Sequence, residues 1–285
     1  MLQATTTIGK NIADIAACLA LPENQLQEFG YSGGLLGKAL FFLYYGAYTE
    51  DNTYLRGAGK LLNQSISKLA GPYKGRNYYK EAAELGTFLE YMKTNGLVDD
   101  SSGKILSAID EAQAKGIEEA LTLNTFDPQN GALVGGLYFL ARSRSSEAAR
   151  CQLENLALAL IALSLQDPCG NLYWRSQLFS SGNIYLGISH GMAIIVLYLC
   201  RMCEMDILAD RCRETMHKAV SYMLSHQQDY QRDGCFFPDI VGETPSKTRL
   251  GLCYGDMGVG YSLYRAGGVL NDDRIRQKAL QVFDQ

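Results

Sequence analysis

Short apolar blocks introduced by glycine recur along the chain, each followed by a segment whose apolar residues fall at helical spacing. Ser32-Gly33-Gly34-Leu35-Leu36-Gly37 runs into Leu40 to Leu43, and Asn130-Gly131-Ala132-Leu133-Val134-Gly135-Gly136 runs into Leu137 to Leu140. Ser189-His190-Gly191-Met192 leads to Ile194 to Leu197, and Cys253-Tyr254-Gly255-Asp256-Met257-Gly258 to Val259 to Tyr261. A weaker fifth block is Glu84-Leu85-Gly86-Thr87-Phe88-Leu89. With Gly34, residue 83, Gly131, Gly191 and Gly255 as markers the intervals are roughly 49, 48, 60 and 64 residues, the period of a helix pair. The first helix of each pair is apolar nearly all round, as a helix covered on both sides must be. The second is amphipathic: Leu55, Ala58, Leu62, Ile66 and Leu69 share one face, as do Cys212, Met216, Ala219 and Met223, and Ile275, Ala279 and Val282.

The pattern predicts an all-α fold, an α/α toroid (barrel) of concentric inner and outer helices whose glycine-bearing inner-helix starts gather at one end. Glycine there lets backbones approach closely and adopt positive φ, while Gly34 and Gly135 read first as helix-packing residues. Ile12, Ile15 and Leu19 predict an N-terminal docking helix. No linker divides the chain, so residues 1–285 read as a single α/α domain, with Asp99 to Gly103 and Asp229 to Thr248 as loops between helices.

Composition supports a large core: 47% apolar and 20% charged residues exclude disorder, and 29 glycines against six prolines suit helices begun at glycine turns. A net charge of -4, with no Lys/Arg stripe, argues against nucleic acid as a partner. The longest apolar stretches, Met192 to Cys200 and Leu156 to Leu163, fall short of the ~20 residues that span a bilayer. Ile12 to Leu21 is interrupted by Asp14 and makes a poor signal core. Eight cysteines in a chain with this much core then read as reduced thiols of a cytoplasmic protein.

Three inner-helix starts carry reactive groups. Asp127 lies four residues before Gly131, His190 directly precedes Gly191, and Cys253 stands two before Gly255 with Arg249 four residues upstream. A carboxylate, an imidazole, a guanidinium and a thiol at one end of a toroid can form one site. Singly, each has a plainer role: a satisfied core histidine, a buried thiol acting as a small hydrophobe, or a turn-capping aspartate before Pro128.

Phe126-Asp127-x3-Gly131-x3-Gly135, Ile188-Ser189-His190-Gly191 and Arg249-x3-Cys253-Tyr254-Gly255-x2-Gly258, in that order and spacing, resemble the successive signatures of the lanthionine synthetase C-like (LanC-like) cyclases. The resemblance covers the whole chain and implies a toroid of seven inner and seven outer helices. It implies zinc held by Cys253 and a Cys-His pair from the next repeat, with His190, Asp127, Arg249 and Tyr254 lining the active site. The implied activity is addition of a peptide cysteine thiol to dehydroalanine or dehydrobutyrine, forming (methyl)lanthionine thioethers as in lantibiotic biosynthesis. The implied partners are a dehydrated precursor peptide and a dehydratase that makes it. Zinc turns a thiol of pKa ≈ 8.5 into a thiolate, Arg249 would face the enolate oxygen, and His190 would protonate the α-carbon with Asp127 orienting or charging the imidazole.

The sequence departs from the family at Leu252, where tryptophan is common, and at Met257, often proline. No Cys-His dipeptide occurs, and the repeat spacing places it beyond Gln285, so the chain reads as about five helix pairs of seven, C-terminally incomplete. Zinc binding would need ligands beyond residue 285, because one thiolate holds the ion poorly. Cys200-x2-Cys203 reads as core, since Ile194 to Met205 predicts one continuous buried helix. Two other functions stay open: a noncatalytic LanC-like peptide-binding or scaffold protein, and a carbohydrate-active α/α barrel drawing acids from Asp127, Asp239 or Asp256.

Overall fold

A computed structural model describes residues 2–21, 26, 28–73, 75, 77–98, 102–177, 182–242 and 251–284. Apart from one two-stranded hairpin and two isolated bridges, the regular structure among them is helical, as the periodicity predicts. The chain packs as two compact units, Met1–Ile109 and Asp110–Gln285, whose boundary falls inside a continuous helix and not at a linker.

The first unit holds α1 (Leu2–Ala20), α2 (Leu35–Thr49), α3 (Asn52–Leu69), α4 (Tyr78–Thr94) and the start of α5 (Gly103–Thr122). The expected N-terminal helix forms, but of its proposed inward residues Ile12 and Leu19 are half-buried and Ile15 is exposed. Ala16, fully buried, is the residue that packs inward. The weak fifth glycine block also changes meaning: Gly86 lies in the interior of α4, which begins instead at Asn77, whose side chain accepts a hydrogen bond from Lys80 N at 3.0 Å.

The second unit holds the rest of α5, then α6 (Leu133–Arg142), α7 (Glu147–Ala162), β1 (Leu165–Gln166), β2 (Leu172–Tyr173), α8 (Met192–Glu204), α9 (Ala209–Ser225), the single turn α10 (Tyr230–Asp233), α11 (Asp256–Leu270) and α12 (Asp273–Phe283). Helix α8 packs against α7, α9 and α11 and buries ten of its thirteen residues, the all-round burial its sequence predicts. Helix α12 buries only Ile275, Ala279 and Val282, and α9 buries the stripe Cys212, Met216, Ala219 and Met223. The helical turn α10 lies in a segment that reads as loop, and the hairpin β1–β2 in one the sequence pattern leaves unassigned, because two-residue strands and a four-residue turn carry no periodicity to detect.

Helices start in two ways. The first-turn N–H groups have no partner within the helix. Helices α3, α7 and α12 meet that need with the side chains of Asp51, Ser146 and Asp272. Helices α2, α8 and α11 begin at Gly34, Gly191 and Gly255, and α6 at Ala132, without a side-chain cap. At three of these four the preceding segment folds back so that carbonyls seven residues upstream accept the hydrogen bonds. Leu35 and Leu36 donate to Glu28 and Phe29 (3.2 and 3.3 Å), Ala132 and Leu133 to Thr125 and Phe126 (3.0 and 3.3 Å), and Met192 and Ala193 to Tyr185 and Leu186 (2.9 and 3.0 Å).

The return brings backbone against backbone. A Cβ on Gly191 would lie 2.2 Å from the Tyr185 carbonyl oxygen, and one on Gly131 would lie 2.4 Å from Asp127 N. Gly191→Ala is therefore expected to destabilise the fold by about 1–3 kcal/mol, as overpacking against an atom that cannot rotate away does. Gly59→Ala is the contrast. Gly59 sits within α3 with nothing inside 4 Å of its would-be Cβ, so the change should stabilise by about 0.4–1 kcal/mol through helix propensity and unfolded-state entropy. Urea unfolding of both variants checks the pair, and equal effects of the same sign would refute the steric account.

Candidate active site

The turns before α6, α8 and α11 carry Asp127, His190 and the Cys253-Tyr254 pair. Asp127 is fully buried, and its Oδ1 accepts hydrogen bonds from Gln129 N and Asn130 N, both at 2.8 Å, which fixes the turn that starts α6. Oδ2 is in no hydrogen bond and faces His190 Nδ1 at 4.0 Å. The capping role read from the sequence and the site role are thus held by different oxygens of one carboxylate.

His190 reaches Asp127 from the turn before α8, with only 10% of its side chain exposed. That turn is tied to the turn before α11 by Ser189 N donating to the Cys253 carbonyl at 3.1 Å. Gly187 makes the approach possible, since a Cβ there would lie 2.4 Å from that carbonyl oxygen. The imidazole contacts two tyrosine rings. The Tyr254 ring is tilted 54° with its centroid 5.3 Å away, and the Tyr185 ring stands edge-on at 6.0 Å. Exposure rises outward, from buried Asp127 through His190 to Tyr254, 39% exposed, and the exposed Cys253. The structure brings together four of the five residues predicted from sequence, and Arg249 lies outside the described residues.

Sequence reasoning missed Tyr185. It is buried beneath His190, and its own carbonyl accepts the Met192 N–H that starts α8. A bridge from Tyr185 to Ile240, with Leu186 N donating to the Asp239 carbonyl at 3.2 Å, holds residues 239–241 alongside. The signal that would have found Tyr185 is its place seven residues before the first helical residue, which matters only once the backbone return is known.

Burial and charge oppose each other at His190. Burial favours the neutral imidazole and outweighs the Asp127 carboxylate, so the pKa lies below the ordinary 6.5 and the ring is neutral at pH 7. At 4.0 Å Asp127 is an electrostatic neighbour, beyond hydrogen-bond range. Burial, followed by the charges of Tyr185, Cys253, Asp127 and Asp239, raises the pKa of Tyr254 above 10, so its hydroxyl keeps its proton and can donate.

With that geometry in place, comparison with known proteins decides the family. The family model described as lanthionine synthetase C-like protein matches residues 25–285. The chain belongs to the lanthionine synthetase C-like family. The solved structure of nisin cyclase superimposes with a TM-score of 0.68 at 16% identity, covering 99% of this chain and 75% of that one, a likeness that shows a shared fold. No curated protein sequence matches the chain.

Membership in the LanC-like family raises the question of zinc. Among the described residues no three His, Cys, Asp or Glu side chains lie close enough to hold a metal ion. Cys253 is exposed and offers one sulfur, whereas a zinc site takes at least three protein ligands. These residues alone do not fit the ion. Cys200 and Cys203 lie on the continuous helix α8, as expected. The Cys200 thiol packs against Met216 at 3.2 Å and is pushed up to about 12 by burial, so it is core. Of the acids a carbohydrate-active α/α barrel could use, Asp256 has both oxygens engaged by Phe236 N and Phe237 N at 2.8 and 2.9 Å. No described helix is long and apolar enough to cross a membrane.

The balance at His190 can be titrated directly. The imidazole should protonate with a midpoint below 6.5 by proton NMR, and Asp127→Asn should move it lower still, because the carboxylate is the influence that raises it. A wild-type midpoint at or above 6.5, or an upward shift in the variant, would contradict this assignment.

Proposed function

We propose that the chain is a peptide-modifying cyclase that adds a cysteine thiol across a dehydroalanine or dehydrobutyrine of the same peptide, forming a (methyl)lanthionine thioether. The observation that carries the reading is the pairing of buried Asp127 with half-buried His190 beside the exposed Cys253-Tyr254 turn, in a chain of the LanC-like family. Sulfur bonds to the β-carbon, the π electrons move toward the carbonyl oxygen, and the proton lost by sulfur must reach the α-carbon. A neutral His190 accepts the thiol proton and, once charged, returns it to the α-carbon, so one residue completes the proton balance. Asp127 stabilises the imidazolium that exists between those steps. Tyr254, still protonated, donates to the developing oxyanion, and Arg249 is assigned the same task as a cation.

Zinc, when bound, would supply a thiolate in place of a thiol. Cys253 would be one of its ligands, with the other donors coming from outside the described set, and no step above passes through the metal. The substrate under this reading is a dehydrated precursor peptide delivered by a dehydratase, and the setting is cytoplasmic. The single metal donor also favours a second reading, a noncatalytic LanC-like protein that binds peptide without closing rings.

One assay separates the two. The protein is incubated with zinc and a dehydrated peptide carrying one cysteine, and free thiol and peptide mass are followed. Cyclisation removes the thiol at unchanged mass. His190→Asn should slow it by roughly 10²- to 10⁴-fold, the usual contribution of a positioned acid or base. A folded wild-type protein that binds the peptide and leaves the thiol intact establishes the noncatalytic reading instead.

A further inference from the structure

The second unit carries a groove that the proposed reaction does not use. Where α8 and α11 end and α9 and α12 begin, a space of about 390 Å³ is lined by Cys203, Glu204, Arg213, Tyr264, Arg265 and Arg276, among others. The candidate active site lies at the opposite ends of α8 and α11. Helix α8 is 13 residues long, which at 1.5 Å per residue separates the two sites by about 20 Å.

Three guanidinium groups reach this groove from three helices. Arg265 and Arg201 both pair with Glu204, so its charge is countered from two sides. Arg213 pairs with Asp210 at 2.9 Å and Arg276 with Asp273 at 3.3 Å, but those aspartates are fully or almost fully exposed, 101% and 88%, and ion pairs open to water are weak. They compete weakly with a ligand that meets two or three arginines at once. Two helix C-termini and two N-termini open here, so helix dipoles offset one another, and Arg201, Arg213, Arg265 and Arg276 outnumber Glu204, Asp210 and Asp273 by one positive charge. Arg276 also lies over the Tyr264 ring at 5.3 Å, which gives the groove an aromatic wall beside its cationic one. The planar fork of arginine matches phosphoryl oxygens, and the volume is that of a small-molecule site.

We infer that this groove binds a small organic phosphate, its phosphoryl group held by Arg213, Arg265 and Arg276 and its organic part against Tyr264. The site is independent of the cyclase reading. Cys203 is buried at the groove's inner edge, with its thiol turned to the Ala209 carbonyl at 3.5 Å, so the arginines and Tyr264 are the groups a ligand would meet.

The test is titration of the full chain with AMP, followed by isothermal titration calorimetry. AMP should fill one site with a dissociation constant of about 1 mM, and the Arg213→Gln/Arg276→Gln double variant should weaken it ten-fold or more. Inorganic phosphate binding as tightly as AMP identifies the phosphoryl group as sufficient, whereas tighter binding of AMP adds the aromatic wall, and either supports the site. No binding to the folded wild type, binding abolished equally by sodium chloride at the ionic strength of the AMP titration, or unchanged affinity in the double variant overturns it.

Discussion

The backbone return ahead of the glycine-led helices is the constraint on which the rest of the second unit depends. Helices α6 and α8 begin without a capping side chain, and their first N–H groups are answered by carbonyls seven residues earlier. An unanswered buried N–H costs about 1–3 kcal/mol, so the chain before each helix has little choice but to fold back. Folding back places the intervening residues in a tight turn above the helix start. Asp127 and His190 are in such turns, and the turn of Cys253 and Tyr254 is bound to the second of them through Ser189. The hydrogen bonds that start the helices therefore also bring the reactive groups together.

Much of this was legible because it rests on periodicity and on glycine. Helix pairs, the apolar character of α8 and the one-sided stripes of α9 and α12 follow from spacing alone. Asp127, His190, Cys253 and Tyr254 were legible because each lies within four residues of a glycine at or next to the start of a helix. The failures share a cause. Gly86 was read as a helix start because glycine marks such starts elsewhere, yet in α4 the Asn77 side chain does that work and the glycine is interior. Ile15 was placed inward by its spacing, but spacing identifies a face and not what covers it. Tyr185 carries no motif, and its place beneath His190 is fixed by its backbone carbonyl.

The graded exposure of the site decides what its histidine does. A carboxylate close to an imidazole usually suggests a charged, acid-form histidine. Here the charge is 4.0 Å away and the ring is mostly covered, so desolvation prevails and the resting imidazole is neutral. A neutral ring must collect a proton before it can give one, so under the proposed cyclase reading thiol activation and α-carbon protonation fall to a single residue. On the same reading Asp127 acts only after proton transfer, when the new positive charge lies in a poorly hydrated place where Coulomb attraction is strong. The same carboxylate keeps its other oxygen on two backbone amides, so it cannot swing away as the charge on the ring changes.

Those two amides matter to the chemistry in a further way. A carboxylate that is fully buried and faces a neutral ring would ordinarily be an expensive charge, and holding two N–H donors at 2.8 Å is what makes its ionised form tolerable. The donors belong to the turn that starts α6, and Gly131 lets that turn close because any Cβ there would meet Asp127 N. A change at Gly131 would thus loosen the amides first, the carboxylate next and the stabilisation of a charged His190 last. Fold and reactivity are connected at this point by a chain of three contacts, each with its own physical cause: steric room, hydrogen bonding, and charge.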